Sequence, residues 1–433
     1  MASQWRIRED TLLGARLHVT EIPNGPVVYC LPRPGFQKKY ATFAVRYGSI
    51  DDFFRLPGQA EPTRVPDGIA HFLEHQMFAQ EDGDAFDRFS ALGVSANAHT
   101  SYTATTYLFS GTENFEPAFR HLLEFVQQPH FTDAGTAKER GIIQQEIRMY
   151  DDDPGWRLER HLHANLYQRH PFRLDIAGTV ESVGEITTDL LRQCYAAFYH
   201  PANAVVAVVG DLDPDRVLEE VQVAMDRHPH PAWEAPERVL PPEPAAVTRA
   251  ASADRMAVAR PLLALGFKEL EVPVRGAAQL RRDLLTDIGI SAAFGRSSER
   301  YRRWYEEGLI DRSFHAGYFG EETFGASEFS AETDAPDHLA DTIMDAIAEV
   351  RAQGVDSGAC ERLRRARLGD FVRLFDSAEA LGNLLGDLHF NGVDLFTFPE
   401  VLAAIHADDV SERLARHLAP ASAARVAILP ERA

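Results

Sequence analysis

The pattern of apolar and polar residues divides the chain into two similar halves. Strand-like runs of the first half lie at 17–22, 27–31, 42–45, 104–109 and 204–209. The second half begins again with a strand-like run at 262–267 and a helical region at 277–307, followed by strand-like runs at 314–319, 323–330 and 425–429. This repetition predicts an α+β fold of two homologous domains, each a mainly antiparallel sheet packed with helices.

A proline-rich segment separates the two halves. It contains His228-Pro229-His230-Pro231 and the further prolines Pro236, Pro241, Pro242 and Pro244. Such a run is typical of an extended linker. We therefore predict an N-terminal domain at 1–227, a linker at 228–248 and a C-terminal domain at 249–433.

A short amphipathic helix after Asp67 carries the most informative residues. Asp67 is a plausible N-cap, and an apolar stripe that includes Phe72 and Leu73 indicates that the helix is packed. His71 and His75 are four residues apart and share one face, with Glu74 beside them. This H-x-x-E-H order is the inverzincin signature of zinc hydrolases. The alternative is an amphipathic helix whose histidines serve no metal.

A second helix, predicted at 133–150, offers a third ligand. Glu139 and Glu146 are seven residues apart, so both carboxylates share a face. The same face carries apolar residues, namely Ile142, Ile143 and Met149. A glutamate on an apolar stripe is costly unless it is paired or binds a cation. Glu146 is thus a candidate ligand and Glu139 an acid behind the ligands, although pairing with Arg140 or Arg148 is an alternative.

With these residues, the chain resembles the pitrilysin/insulinase family of zinc metallopeptidases, in its half-length, two-domain branch that includes the mitochondrial processing peptidases. Further matching segments are Ser95-Ala96-Asn97-Ala98-His99-Thr100, Phe198-Tyr199-His200-Pro201 and Val208-Val209-Gly210-Asp211. The resemblance implies that His71, His75 and Glu146 bind one Zn²⁺ per chain. It also implies that Glu74 is the general base, that Glu139 assists it, and that the two domains form half of a clamshell.

The resemblance further implies a partner subunit. Gly141-Ile142-Ile143-Gln144-Gln145-Glu146 and the stretch 175–182 resemble bacterial cytoplasmic members, which usually occur beside a second, motif-less homologue. Family active sites are completed by an arginine and a tyrosine about seven residues apart. Trp304 and Asp311 align with these positions, and Arg303 or Tyr318 are alternative candidates. We therefore expect a homologous partner to supply the missing groups.

The segment after Gly93 is the candidate substrate edge. Its residues Ser95, Ala96, Asn97, Ala98 and His99 are mostly small or polar. Small side chains on an edge strand leave the backbone free to pair with an extended peptide. By resemblance this segment binds substrate beside the zinc, with His99 where the family has an aromatic residue. The alternative is an ordinary exposed loop and strand.

Composition narrows the class of protein. The chain has 433 residues, of which 45% are hydrophobic, and a formal net charge of −21, which argues against a nucleic-acid surface. No segment is apolar enough to predict a membrane span, and the first residues lack the apolar run of a signal peptide. The three cysteines, Cys30, Cys194 and Cys360, are scattered. We therefore expect a cytoplasmic protein.

Together these features predict a zinc-dependent endopeptidase. Zinc would activate a water whose proton Glu74 accepts and then passes to the leaving amine. The substrates would be unfolded peptides or leader-like segments, because an enclosed chamber admits chains that can lie extended. One alternative is a non-hydrolytic structural or assembly subunit. Another is a peptidase pair within a pathway that matures a peptide or another protein.

Overall fold

The computed structural model describes residues 5–431 except positions 12 and 82. The strands are β1 Arg6–Asp10, β2 Ala15–Glu21, β3 Val27–Pro32, β4 Lys39–Val45, β5 Phe53–Arg55, β6 Thr63–Arg64, β7 Ala79–Gln80, β8 Gly83–Asp84, β9 Ser95–Thr100, β10 Thr105–Gly111, β11 Ala204–Gly210, β12 Glu237–Arg238, β13 Ala251–Met256, β14 Leu262–Lys268, β15 His315–Gly320, β16 Gly325–Glu332 and β17 Ala423–Pro430.

The helices follow in the same order. They are α1 Ile69–Met77, α2 Ala85–Ala91, α3 Phe115–Phe125, α4 Asp133–Asp151, α5 Pro154–Leu166, α6 Val180–Gly184, α7 Thr188–Phe198, α8 Pro214–Arg227, α9 Ala277–Phe294, α10 Glu299–Glu306, α11 Pro336–Gln353, α12 Ser357–Leu374, α13 Ala378–Phe390, α14 Thr397–Ala403 and α15 Ala407–His417. Short 3-10 helices lie at Pro171–Arg173, Pro201–Asn203 and Pro420–Ser422.

The first unit is built on a sheet whose described strands lie in the order β1-β2-β3-β11-β4-β10-β9. Only β3 and β11 run parallel; the other neighbours are antiparallel. β11 has the sequence Ala-Val-Val-Ala-Val-Val-Gly and is buried along its whole length. A strand without polar alternation belongs in the middle of a sheet that is covered on both faces. The sheet ends at β9, which is therefore an edge strand.

The second unit repeats this arrangement. Its sheet has the order β13-β17-β14-β16-β15, with β13 and β17 parallel and the other neighbours antiparallel. This order corresponds strand by strand to β3-β11-β4-β10-β9 of the first unit. The prediction of two related α+β domains with mainly antiparallel sheets is confirmed.

The two units are discontinuous in sequence. The first comprises the chain up to Arg148 together with Asp175–Leu240 and Val372–Phe390. The second comprises Met149–Leu174, Pro241–Phe371 and the chain from Asn391 onward. The domains predicted from sequence were contiguous and therefore differ from these units. The apolar face of a helix indicates that the helix is buried, but not which sheet it packs against. The prediction therefore placed α5 and α13 in the same domain as the segments next to them in sequence.

Glycines let these two helices approach the sheets. In the second unit α5 packs on β14 and β17, and a Cβ added at Gly266 of β14 would lie 3.0 Å from side-chain atoms of Leu162 and of Leu166. In the first unit α13 packs on β4 and β11, and a Cβ at Gly382 would lie 2.4 Å from Tyr40 Cδ1. A side chain at Gly382 would force the Tyr40 ring or the helix to shift, whereas a methyl group at Gly266 would require the ends of the two leucines to move by a few tenths of an ångström.

The predicted linker makes specific contacts in both units. In the first unit, Trp233 stacks on His200 with ring centroids 5.6 Å apart, and β12 pairs with β5. In the second unit, Glu243 accepts hydrogen bonds from the backbone N–H groups of Gln168, Arg169 and His170. One of the boundaries between the units falls after Leu240, within the predicted linker.

The long helical region predicted in the second half is interrupted. The region predicted as helical at 277–307 is divided into α9 and α10 by a break that includes Gly295 and Ser298, the N-cap of α10.

Within the described part of the chain, no helix combines the length and apolar character that a membrane span requires.

The contact between α13 and the first sheet yields a stability prediction. Gly382→Ala should lower the free energy of unfolding by about 1–3 kcal/mol, because its new methyl group overlaps the Tyr40 ring. Gly386→Ala is the matched control, since its Cβ would lie 3.8 Å from Ala44 Cβ, an ordinary contact. The control should be neutral or stabilising by up to about 1 kcal/mol through helix propensity. Urea unfolding measures both, and equal midpoints would contradict the packing.

Candidate metal centre

A tight turn sets the start of α1. Gly68 precedes the helix with φ 89°, and no side chain caps it. The predicted N-cap, Asp67, is therefore wrong. A Cβ at Gly68 would lie 2.3 Å from the carbonyl oxygen of Ala177, so both the backbone angle and the space require glycine. This close approach fixes α1 against the segment that precedes α6.

The two histidines of α1 lie side by side. His71 and His75 have ring centroids 4.6 Å apart and are partly buried. The opposite side of the helix carries Phe72 and Leu73, which are fully buried in the core of the first unit. Burial of this apolar side determines that the imidazoles project away from the sheet core.

α4 brings the third predicted ligand to the histidines. Glu146 Oε1 lies 3.8 Å from His71 Nε2, and Glu146 Oε2 lies 3.6 Å from His75 Nε2. One donor atom from each of the three residues lies within 4.8 Å of the other two. Among the described residues, these three are the group that meets this criterion for holding a metal ion.

The donor set fits zinc. Zinc ligands in proteins are bound at about 2.0–2.2 Å, which places tetrahedral ligand atoms about 3.4 Å apart. The observed separations of 3.6 and 3.8 Å are close to that value. Two imidazoles and one carboxylate are also a known catalytic zinc set. His71 Nδ1 is buried and has no hydrogen-bond partner among the described residues, so this imidazole is not already paired on both nitrogens.

Electrostatics favour a cation at this point. Burial, reinforced by the neighbouring His75, lowers the pKa of His71 to about 4, so this imidazole is neutral near pH 7 and can bind a metal. Burial also disfavours protonation of His75, but the hydrogen bond with Glu139 and the nearby charges of Glu74 and Glu146 outweigh it and raise the pKa. The acids therefore attract positive charge to the position between the histidines.

Glu139 occupies the place expected of an acid behind a ligand. Its Oε1 lies 2.9 Å from His75 Nδ1, which leaves Nε2 of the same ring directed toward Glu146. A carboxylate in this position selects the tautomer of a metal-binding histidine and orients its ring. Arg140, one of the two arginines considered as a partner of these glutamates, donates to the carbonyl oxygen of Ile186 at 2.7 Å.

The apolar stripe predicted beside these glutamates is only partly present. Ile143 is buried, as is Ile147, but Ile142 is 43% exposed and Met149 is 61% exposed. The expectation that the glutamates share a buried apolar stripe is therefore wrong for two of its three residues. The helix turns by about 100° per residue, so Ile143 and Ile147 face the core while Glu139 and Glu146 lie at its margin.

Glu74, the predicted base, is almost completely buried at 7% exposure. Burial raises its pKa, while a hydrogen bond from Thr100 acts in the opposite direction. The Thr100 hydroxyl donates to Glu74 Oε2 at 2.7 Å. The prediction from sequence gave Thr100 no role, although a hydroxyl one residue after the proposed substrate segment was visible there.

The predicted substrate segment is the edge strand β9. Ser95, Asn97 and His99 are exposed on one face, whereas Ala96 and Ala98 are half-buried and pack on the core. β9 pairs with β10 on one side, and no described strand pairs with its other side. Its small side chains and open edge are compatible with addition of an extended peptide strand.

The positions aligned with the missing arginine and tyrosine have structural contacts instead. Trp304 is 1% exposed and packs against Phe294 and Phe314. Asp311 accepts a hydrogen bond from Arg260 Nη1 at 2.8 Å. Of the alternative candidates, Arg303 is exposed on α10, and the hydroxyl of Tyr318 donates to Glu269 at 2.8 Å.

Comparison with known proteins identifies the family. The model of the insulinase peptidase family M16 matches residues 58–180, which include all three candidate ligands. The M16 inactive-domain model matches residues 185–367. The uncharacterized zinc protease YmfH of Bacillus subtilis is 40% identical over 403 residues, covering 93% of this chain and 94% of the relative. The chain belongs to the insulinase (M16) peptidase family.

Solved structures of M16 proteins have the same fold. The crystal structure of a putative M16-like peptidase from Alicyclobacillus acidocaldarius is 35% identical, matches both chains over their whole length, and has a TM-score of 0.91. Pitrilysin is 18% identical with a TM-score of 0.75, and the match covers 99% of this chain but 47% of pitrilysin. The prediction of a two-domain chain that corresponds to half of a pitrilysin-like protein is confirmed.

The geometry of the M16 site predicts the effect of removing a ligand. Glu146→Ala should lower bound zinc from one ion per chain to nearly none after dialysis, because the oxygen donor is lost. Glu139→Gln should weaken zinc affinity by about 10–100-fold, the usual effect of removing a partner behind a ligand. Gln145→Ala, an exposed neighbour on α4, is the control. Zinc analysis by atomic emission measures all three, and full zinc content in Glu146→Ala would exclude it as a ligand.

Proposed function

We propose that this M16 protein is a zinc-dependent endopeptidase that cleaves unfolded peptides or leader-like segments. The observation that carries the proposal is the approach of Glu146 to His71 and His75, with Glu74 buried on the same helix as the histidines. A purely structural subunit needs neither a metal-binding set nor a buried acid. The names of the relatives, zinc proteases of several bacteria, agree with the proposal.

The roles of the residues follow from their atoms. His71 and His75 would hold zinc through Nε2 and Glu146 would hold it through its carboxylate. A bound zinc ion polarises a carbonyl oxygen and lowers the pKa of a water to about 7. Glu74 takes the proton of the attacking water and passes it to the nitrogen of the leaving amine. Glu139 keeps His75 Nδ1 protonated, so that the lone pair of Nε2 is available to bind the metal.

The edge strand β9 supports a peptide as substrate. An extended peptide that adds to β9 forms main-chain hydrogen bonds that are independent of its sequence. The small side chains of Ala96 and Ala98 leave room for this approach, and the exposed Ser95, Asn97 and His99 would contact the substrate from the other face. A chain must be unfolded to lie along the edge, which excludes compact proteins as substrates.

We further propose that a homologous, motif-less subunit completes the site. Trp304 and Asp311 stand where the resemblance expects the arginine and tyrosine, and both are engaged within the second unit. A mitochondrial-processing peptidase relative from Arabidopsis thaliana, 28% identical over 209 residues, is named a subunit. A location in the cytoplasm is compatible with three cysteines that are free and buried.

The second candidate function is a non-hydrolytic structural or assembly subunit. It is favoured by the same two positions, Trp304 and Asp311, because their side chains cannot stabilise an oxyanion in the roles expected of arginine and tyrosine.

For an active pair of subunits, gene neighbourhood distinguishes leader removal from general peptide turnover. A cluster for peptide maturation would support leader removal, and an isolated pair of homologues would support turnover.

Replacement of the base tests the chemistry. Glu74→Gln should keep one zinc per chain and lower kcat by about 10²–10⁴-fold, because an amide cannot accept the proton of the water. Cleavage of β-casein, an unfolded protein, followed by mass spectrometry measures the rate and the sites. Cleavage at the wild-type rate would exclude Glu74 as the base and favour another acid.

The need for a partner is tested by activity with and without it. The purified chain alone should have at most about 1% of the kcat of the chain co-expressed with its motif-less homologue, since loss of oxyanion donors costs 10²–10³-fold. A pair that carries Glu74→Gln in this chain is the control, and it should be inactive. Equal activity of the single chain and the pair would contradict the heterodimer.

A further inference from the structure

The hydrogen bond between Thr100 and Glu74 joins two elements that are remote in sequence. Thr100 is the last residue of β9, and Glu74 lies on α1. The donor and acceptor oxygens are 2.7 Å apart, and the acceptor carboxylate is almost fully buried. Bonds from a hydroxyl to an ionised carboxylate are short and about twice as strong as neutral ones. This bond therefore restricts the carboxylate more than packing alone would.

The direction of the Thr100 hydrogen follows from its neighbours. A hydroxyl has one hydrogen to donate. Thr105 Oγ1 lies 3.4 Å from Thr100 Oγ1 and donates its own hydrogen to the carbonyl oxygen of Tyr47 at 2.8 Å. Thr105 can only accept from Thr100, over the longer of the two distances. The Thr100 hydrogen is therefore directed to Glu74, and no hydrogen remains for a bond between the two threonine hydroxyls.

This bond distinguishes the two oxygens of Glu74. Oε2 accepts the hydrogen of Thr100, whereas no donor among the described residues reaches Oε1. A proton taken from water is better placed on an oxygen that does not already accept a strong hydrogen bond. Oε1 is thus the oxygen suited to act as the base, and the Thr100 contact determines which way the carboxylate turns.

Thr100 also belongs to the open edge of β9. Ser101 N–H donates to the carbonyl oxygen of Ala104 at 2.7 Å, which makes this pair a hydrogen-bonded one. Antiparallel pairs alternate in type, and Thr100 lies opposite Thr105 in the next pair. The backbone N–H and C=O of Thr100 therefore point away from β10, as do those of Ala98. The side chain of the same residue contacts the base.

We propose that Thr100 is the positioning residue of Glu74 and ties the base to the strand on which the substrate lies. The proposal rests on the peptidase function proposed above. A peptide that pairs with the edge of β9 is placed relative to the backbone of Thr100, and the Thr100 hydroxyl places Glu74 relative to the same backbone. Both the base and the substrate are thereby positioned by β9, which limits the unreactive arrangements that they can adopt.

The test uses the zinc-loaded protein in its active assembly and an internally quenched decapeptide taken from the fastest-cleaved site of β-casein. Thr100→Val removes the hydroxyl and keeps the shape. It should lower kcat by about 10–100-fold, leave KM within about threefold and leave zinc content at one per chain. Thr100→Ser restores the hydroxyl and should regain most of the kcat. Thr106→Val, on the opposite face of β10, is the matched control and should retain wild-type kcat.

A double variant separates positioning from mere stability. Thr100→Val should have no further effect on kcat in a Glu74→Gln background, because the hydroxyl acts through the base. A Thr100→Val protein with wild-type kcat, a Thr100→Ser protein as slow as Thr100→Val, or additive effects in the double variant would each overturn the proposal. Failure of the peptidase function itself is distinguishable, since the zinc-loaded wild-type assembly would then leave β-casein uncleaved.

Discussion

The candidate centre depends on one hydrophobic cluster that α1 and α4 share. Phe72 and Leu73 of α1 and Ile143 and Ile147 of α4 all lie in the core of the first unit. Each large apolar side chain contributes about 1.5–3 kcal/mol when buried. The shared core thus sets the distance between the helices without any help from a metal. The histidines and Glu146 lie at the margin of this core, so their separation is a consequence of apolar packing.

The same packing brings several negatively charged groups close together. Three carboxylates, those of Glu74, Glu139 and Glu146, gather around two imidazoles in a partly buried place. Like charges with little water between them repel, and a divalent cation removes that repulsion. The raised pKa of His75 has the same cause, because the nearby carboxylates favour a proton on this imidazole as they would favour a metal ion beside it. These charges therefore favour a cation between the imidazoles.

Much of this arrangement could be predicted from the sequence, because it depends on local spacing. His71 and His75 are one helical turn apart, and Glu139 and Glu146 are two turns apart, wherever the helices lie. Contacts between distant segments could not be predicted in this way. The covering of a sheet by α13, the close approach of Gly68 to Ala177, and the bond from Thr100 to Glu74 all depend on tertiary packing. The exposure of Ile142 and Met149 follows from where the core ends, which periodicity does not reveal.

The position of the metal ion can be measured directly. Anomalous X-ray diffraction at the zinc edge, on crystals of the zinc-saturated protein, locates the ion independently of any activity. We expect one peak in the first unit, at about 2.0–2.2 Å from His71 Nε2, His75 Nε2 and a carboxylate oxygen of Glu146. A peak that lies elsewhere, or a position between these residues that stays without zinc at saturation, would contradict this expectation.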